Sequence, residues 1–326
     1  MRDVDITRRI TLRELRLFVT AARSGSMSKA ASDIGLTQPA LSRCITELER
    51  TLGVLLFDRT NRGISPTPHG EVLLRRATGV LEELRHAVDE LRSLSGASGG
   101  DLRIGGTPTM CAGLVPAIMN SVLGDHPQFR FEVAELDARK LAGELAARSV
   151  DIGIGAQHAA GDADGLVFEE LFDDRLFIVA AARHPLVSKR SIKLEDVARM
   201  QWVLPGADAP VTVQLRNEFR KRGLTLSETA VTTMSISVRY NLIGRNNFLT
   251  VVYGSALRLG NAPGFVRVLP IDLPVGISIG ILRPRGRTLA PSAEVFAQAA
   301  RRVARQVRSL RAKELQPQKS GRSATE

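Results

Sequence analysis

The chain is poor in the residues that build disulfide scaffolds, metal centres and membrane spans. It has only 2 cysteines in 326 residues, Cys44 and Cys111, far apart and in no Cys-x-x-Cys pair. A disulfide framework and a cysteine-rich zinc site are thereby excluded, and a reducing cytoplasm is the expected location. The 5 histidines, His69, His86, His126, His158 and His184, show neither i, i+4 pairing nor a carboxylate cluster and read as surface or turn residues. No apolar run approaches the ~20 residues needed to cross a bilayer. The first nine residues mix charges of both signs without an apolar stretch, so no signal peptide is expected. No serine sits in a strand-to-helix nucleophile elbow. Gly153-Ile154-Gly155 begins like a dinucleotide loop, but His158 stands where the third glycine belongs. The expectation is therefore no enzyme, no cofactor, no metal and no membrane association.

What is abundant is positive charge, with 45 Lys and Arg against 34 Asp and Glu and a formal net charge of +11. Arginine supplies most of it and suits bidentate contacts to phosphate and guanine. With 44% hydrophobic residues the chain can bury two or three cores.

The most informative stretch is residues 26–45. It reads as two short helices around Gly35, which supplies the permissive backbone of a tight corner. Ala30 and Ala31 are small enough for a close helix crossing. Thr37 can cap the second helix and Pro39 is tolerated in its first turn. Leu41, Ile45, Leu48 and Leu52 share one face, leaving Gln38, Ser42, Arg43 and Glu47 elsewhere. A polar face on a helix held by a small-residue crossing is what major-groove reading needs.

Leu12, Leu15, Phe18, Val19 and Ala22 make an amphipathic helix before this pair. After it, extended pieces joined at Asn61-Arg62-Gly63 suggest a hairpin, with Pro66 and Pro68 leaving its register open. Such a hairpin is a wing whose Arg62 could enter a minor groove. Residues 69–95 form a long helix. Leu74, Leu81 and Val88 recur every seven residues, as do Ala77, Leu84 and Leu91. This seam either packs on its own domain or pairs two chains, and dimerisation through Leu74, Leu81, Leu84, Val88 and Leu91 is the expectation. Residues 96–100 are a small-residue linker. Strands and helices then alternate, predicting a parallel sheet covered on both faces. The expected division is residues 101–160 and 266–310 in one subdomain and 166–262 in another, with a hinge at 161–165 and a disordered tail from 311.

The chain resembles the LysR-type transcriptional regulators along essentially its whole length. The matching residues are Leu15-Arg16-Leu17-Phe18, Gly25 to Ala31, Thr37 to Arg43, Leu48-Glu49, Leu52-Gly53, Leu55 to Thr60 and Thr67-Pro68-His69-Gly70. Looser matches follow at Leu102 to Gly105 and Val150 to Ile154. The resemblance implies an α/β multidomain chain: a winged helix-turn-helix over residues 1–68, a dimerising linker helix, and a periplasmic-binding-protein-like (type 2) effector domain of two αβ subdomains. It implies double-stranded promoter DNA, a small-molecule effector, a homodimer or homotetramer, and RNA polymerase as partners. Two departures are Met27, where an aromatic is usual, and Ser65-Pro66, which interrupts the usual wing strand. The stretch Asn241 to Val252 is similar to regulators of sugar and aromatic-acid catabolism.

On these grounds Gln38, Pro39, Ser42, Arg43, Arg59 and Arg62 are the candidate DNA-binding residues. Gln38 suits adenine and Arg43 guanine, although either can instead contact phosphate, which positions without reading sequence. Arg59 can equally pair with acidic groups of its own domain. Cys44 reads as a core residue; Cys111, early in a helix, has a position that can lower a thiol pKa. Thr107, as the cap of a helix with Pro108 in its first turn, offers N–H groups to an anionic effector. Thr109, Asp137, Ala156, Ser235 and Ser237 join it as effector candidates, each placed just past a strand end.

Overall fold

The computed structural model describes residues 6–60, 63–94, 100–157, 165–260, 262–286 and 288–309. They form two units, residues 1–97 and 98–326. The first contains α1 (Ile6–Arg9), α2 (Leu12–Ser24), α3 (Met27–Asp33), α4 (Gln38–Leu52), β1 (Phe57–Thr60), β2 (Gly63–Pro66) and α5 (Pro68–Leu94). A capping box starts α2: Glu14 N donates to Thr11 Oγ1 at 3.2 Å, and Thr11 N to the Glu14 carboxylate at 2.7 Å. Ser26 and Thr37 cap α3 and α4. Gly35, at φ +66°, makes the corner between them. Ala30 and Ala31 are buried with Leu17, Phe18, Leu41, Ile45 and Leu48, and Met27 joins this core in place of an aromatic.

The wing is an antiparallel hairpin with Phe57 opposite Pro66 and Asp58 opposite Ser65. Ser65-Pro66 thus continues the strand. A proline is tolerated there because β2 is the edge of a two-stranded sheet. Ile64 N donates to Gly25 O at 3.0 Å, tying the wing to the end of α2. Gly63 has φ +130°, and a Cβ there would run into the Gly25 carbonyl.

The second unit runs β3 (Asp101–Gly106), α6 (Pro108–Cys111), α7 (Leu114–Asp125), β4 (Arg130–Glu135), α8 (Ala138–Ala146), β5 (Ile152–Ala156) and β6 (Leu166–Ala181). It continues with α9 (Leu194–Ala198), β7 (Gln201–Leu204), α10 (Pro210–Lys221), β8 (Thr229–Thr232), α11 (Ile236–Arg245) and β9 (Phe248–Tyr253). Then come α12 (Gly254–Leu259), β10 (Val266–Val268), β11 (Gly276–Pro284) and α13 (Pro291–Ser309). The strand order is β4-β3-β5-β11-β6-β9-β7-β8, with β10 also on β6. One core packs Ile104, Ile118, Ile152, Ile281 and Phe296; the other packs Ile178, Trp202, Leu215, Phe219 and Leu249.

The sheet is mixed, which corrects the parallel expectation. β4, β3 and β5 are parallel, whereas β11 pairs antiparallel with both β5 and β6. β6 belongs to both halves: residues 166–175 pair with β11, and 176–179 with β9. The return to the first half also comes later than expected, because β10 pairs with the end of β6 and Leu269, Leu273 and Val275 join the second core. A hydrophobic run identifies a strand without naming its neighbour, so neither feature could be read from periodicity.

Candidate nucleic-acid interface and ligand cleft

In α4 the buried stripe of Leu41, Ile45 and Leu48 turns Pro39 and Arg43 to solvent, and Gln38 is exposed as the first residue of the helix. Among the described residues Arg43 has no ion-pair partner. Ser42 is half-buried and accepts a hydrogen bond from Arg59 Nη1 at 3.3 Å, linking the wing to α4. Arg59 therefore meets a hydroxyl rather than a carboxylate. Behind this surface, Glu49 is buried and accepts the backbone N–H groups of Leu56 at 2.8 Å and Phe57 at 3.3 Å. That carboxylate sets where β1 leaves α4. Arg62 lies outside the described residues.

The seam on α5 divides. Leu74 and Leu81 pack with buried Ala77 into the core of their own unit, because α2 lies alongside α5. Leu84, Val88 and Leu91 are 42%, 38% and 64% exposed.

In the second unit the effector candidates lie at or after the C-terminal ends of β3, β4, β5 and β8. Thr107 occupies the cap position of α6 but makes no side-chain capping bond among the described residues. Its N–H donates to Ile154 O at 3.2 Å. Thr109 is half-buried in α6. Asp137 caps α8 by accepting from Lys140 N at 2.8 Å. Ala156 is the last residue of β5, and buried, rather than just past its end. Ser235 caps α11 through Val238 N at 3.3 Å, and Ser237, two residues on, is exposed.

Two family models match. "Bacterial regulatory helix-turn-helix protein, lysR family" covers residues 12–71 and "LysR substrate binding domain" covers residues 95–305. The chain belongs to the LysR family of transcriptional regulators. Among similar proteins, the regulator GalR of Pseudomonas putida is 31% identical over 89% of this chain and 73% of its own length. The regulator GbpR of Azospirillum brasilense is 28% identical over 98% of this chain and 93% of its own. A full-length OxyR cysteine-to-aspartate variant from Pseudomonas aeruginosa superposes with TM-score 0.66 at 26% identity, covering 90% of this chain and 98% of that one. Full-length CbnR in complex with its target DNA shares the fold, with TM-score 0.63 at 18% identity over 90% of this chain and 99% of that one.

Other residues of this LysR-type regulator differ from expectation. Cys111 is not activated by its helix, because burial, reinforced by the charge of Glu135, pushes its thiol up to about 12. His184 is no surface residue. It is buried, accepts Leu186 N at Nδ1 (3.1 Å) and faces Asn247 O at 3.3 Å from Nε2. Burial lowers its pKa. Two further buried charges, Glu49 and Arg239, had no role assigned from the sequence. The second had a signal: Ile236, Arg239, Tyr240 and Ile243 recur at i, i+3, i+4 and i+7, placing an arginine on a packed stripe.

Proposed function

We propose that this regulator binds double-stranded promoter DNA through α4 and the wing, and that a small molecule in the cleft of its C-terminal unit modulates that binding. One observation carries the reading: Gln38 and Pro39 in the first turn of α4 and Arg43 one turn on stand exposed, with Arg59 of the wing strand joined to Ser42 between them. Amide and guanidinium groups on an exposed helix match the donor and acceptor pattern of base edges in a major groove. Arg62 at the wing tip is proposed to enter the adjacent minor groove. The solved complex of CbnR with its target DNA supports this use of the fold.

Two chains are proposed to pair through Leu84, Val88 and Leu91, with the assembly a homodimer or homotetramer that works with RNA polymerase in the cytoplasm. The effector is proposed to be a small organic acid, an aromatic acid or a sugar-related metabolite. It would meet Thr107, Thr109, Asp137, Ala156, Ser235 and Ser237 at the strand ends, where open α/β sheets bind ligands. No catalytic step is assigned.

The test is fluorescence anisotropy with a fragment from upstream of the protein's own gene. Affinity should fall as log salt rises, with a slope of about −0.9 per phosphate neutralised. Absence of salt-sensitive binding to that fragment would defeat the proposal.

A further inference from the structure

We propose that Glu47 is a base-reading residue of α4, its carboxylate selecting cytosine by accepting from the exocyclic amino group in the major groove. This rests on the DNA-binding reading above and names a base within it. Pro39, Ser42, Arg43, Thr46, Glu47 and Arg50 recur at i, i+3, i+4, i+7, i+8 and i+11, which is one face of a helix. It is the face turned away from buried Leu41, Ile45 and Leu48, and Arg43, Thr46, Glu47 and Arg50 are exposed on it. Its first five members line an open groove of about 760 Å³ together with Glu14 of α2. That groove carries two carboxylates, and they differ in what each can still accept. Glu14 is committed to the fold, holding Thr11 N at 2.7 Å and Thr11 Oγ1 at 2.8 Å. Glu47 meets only Arg50 among the described residues, with Arg50 Nε donating to Oε2 at 3.1 Å and Nη2 to Oε1.

An ionised carboxylate has about four acceptor sites and no donor. Arg50 occupies two of them, and its hydrogen bond holds the Glu47 carboxyl below the usual 4.5, so the group is ionised at neutral pH. The sites left over select among bases by exclusion. Guanine and thymine present acceptors to the major groove, and adenine sets N7 beside its amino group, whereas cytosine presents a donor alone. Every base but cytosine therefore turns a lone pair towards the carboxylate. Arg50 also makes the approach to DNA tolerable, because the pair carries no net charge to be repelled by phosphates. An exposed ion pair of this kind contributes little to stability, so the fold itself has little need of it. Glu47 stands one turn beyond Arg43, about 6 Å along the helix axis. That distance matches about two base steps of ~3.4 Å, which puts the cytosine about two base pairs from the pair that Arg43 meets.

Fluorescence anisotropy on the full chain tests this with the fragment from upstream of its own gene. A companion set replaces each base pair of the protected site in turn by the other three. We expect one position in each half-site at which cytosine is preferred at least ~5-fold. Glu47→Ala should level that position and no other. Glu47→Gln, which adds a donor beside the acceptor, should shift it towards adenine. The thermal melts of both variants should stay where they are, which locates the effect in recognition. Should Glu47→Ala fail to fold, the shift in Glu47→Gln decides the matter. No cytosine preference at any position, its persistence in Glu47→Ala, or a change spread evenly over every fragment overturns the role of Glu47 and leaves the DNA-binding reading standing. Absence of salt-sensitive binding to every fragment overturns that reading with it.

Discussion

Glu49 illustrates how a single side chain positions a surface it does not touch. Its carboxylate accepts two backbone N–H groups at the start of β1, the strand that carries Arg59. Glu49→Ala strands both donors in the core, and an unsatisfied buried donor costs about 1–3 kcal/mol. Urea unfolding should show a loss of at least that size, and Glu49→Gln, which keeps an acceptor, should lose less. Unchanged stability in Glu49→Ala would contradict the assignment. Cys111 carries the opposite lesson. Its position early in α6 suggested a lowered pKa, yet burial dominates and pushes the thiol up to about 12. At pH 8 a thiol reagent should modify Cys111 no faster than the protein unfolds. Rapid modification of the native chain would refute this.

The long helix α5 divides one apolar stripe between two surfaces. Its seven-residue repeat is real, but periodicity cannot say which partner covers a stripe. Leu81 packs half-buried at home, so Leu81→Ala should lower stability by less than the ~2–5 kcal/mol of a fully buried leucine, read from denaturant midpoints. A change at exposed Leu84 should separate the chains instead. Sedimentation equilibrium of Leu84→Glu is expected to show monomers with an unaltered melt; a persistent dimer would move the interface elsewhere. The join between β6 and α13 makes a prediction of its own. Arg301 grips Glu169 with Nε–Oε1 at 2.6 Å and Nη2–Oε2 at 2.9 Å. The side-chain hydrogen bond from Arg301 holds the Glu169 pKa below its usual 4.5. A carboxylate with a lowered folded pKa stabilises above its unfolded pKa, and that contribution disappears as pH falls through the folded value. Buried Asp174 works the other way, since desolvation raises its pKa and its penalty grows as pH climbs. Glu169→Gln should therefore flatten the loss of melting temperature below pH ~4.5. An unaltered acid limb would show the pair to be idle.

For the molecule as a whole, regulation requires a coupling free energy between cleft and reading head. Such couplings are typically about 1–3 kcal/mol, and they are reciprocal. A ligand that changes DNA affinity should have its own affinity changed by the same factor when DNA is bound. Anisotropy titrations with and without a responsive acid measure one side, and calorimetry with and without DNA the other. Unequal factors would exclude a simple two-site linkage. Thr107→Val should abolish the response to that acid while promoter binding persists, because its hydroxyl makes no capping bond among the described residues. If the response survives, Thr107 does not contact the ligand.

The reading head was legible because its constraints are local. The cap at Thr37, the permissive Gly35, and the small pair Ala30 and Ala31 act within a few residues of themselves. Side-chain chemistry and helical period then decide which groups of α4 face outward. The pairing of β6 with two different sets of strands, the covering of half of α5, and the burial of Glu49, His184 and Arg239 were settled only when distant segments met. Each depends on which backbone or carboxylate lies across a gap, and loop closure between residues tens of positions apart leaves no period in the chain that encodes it.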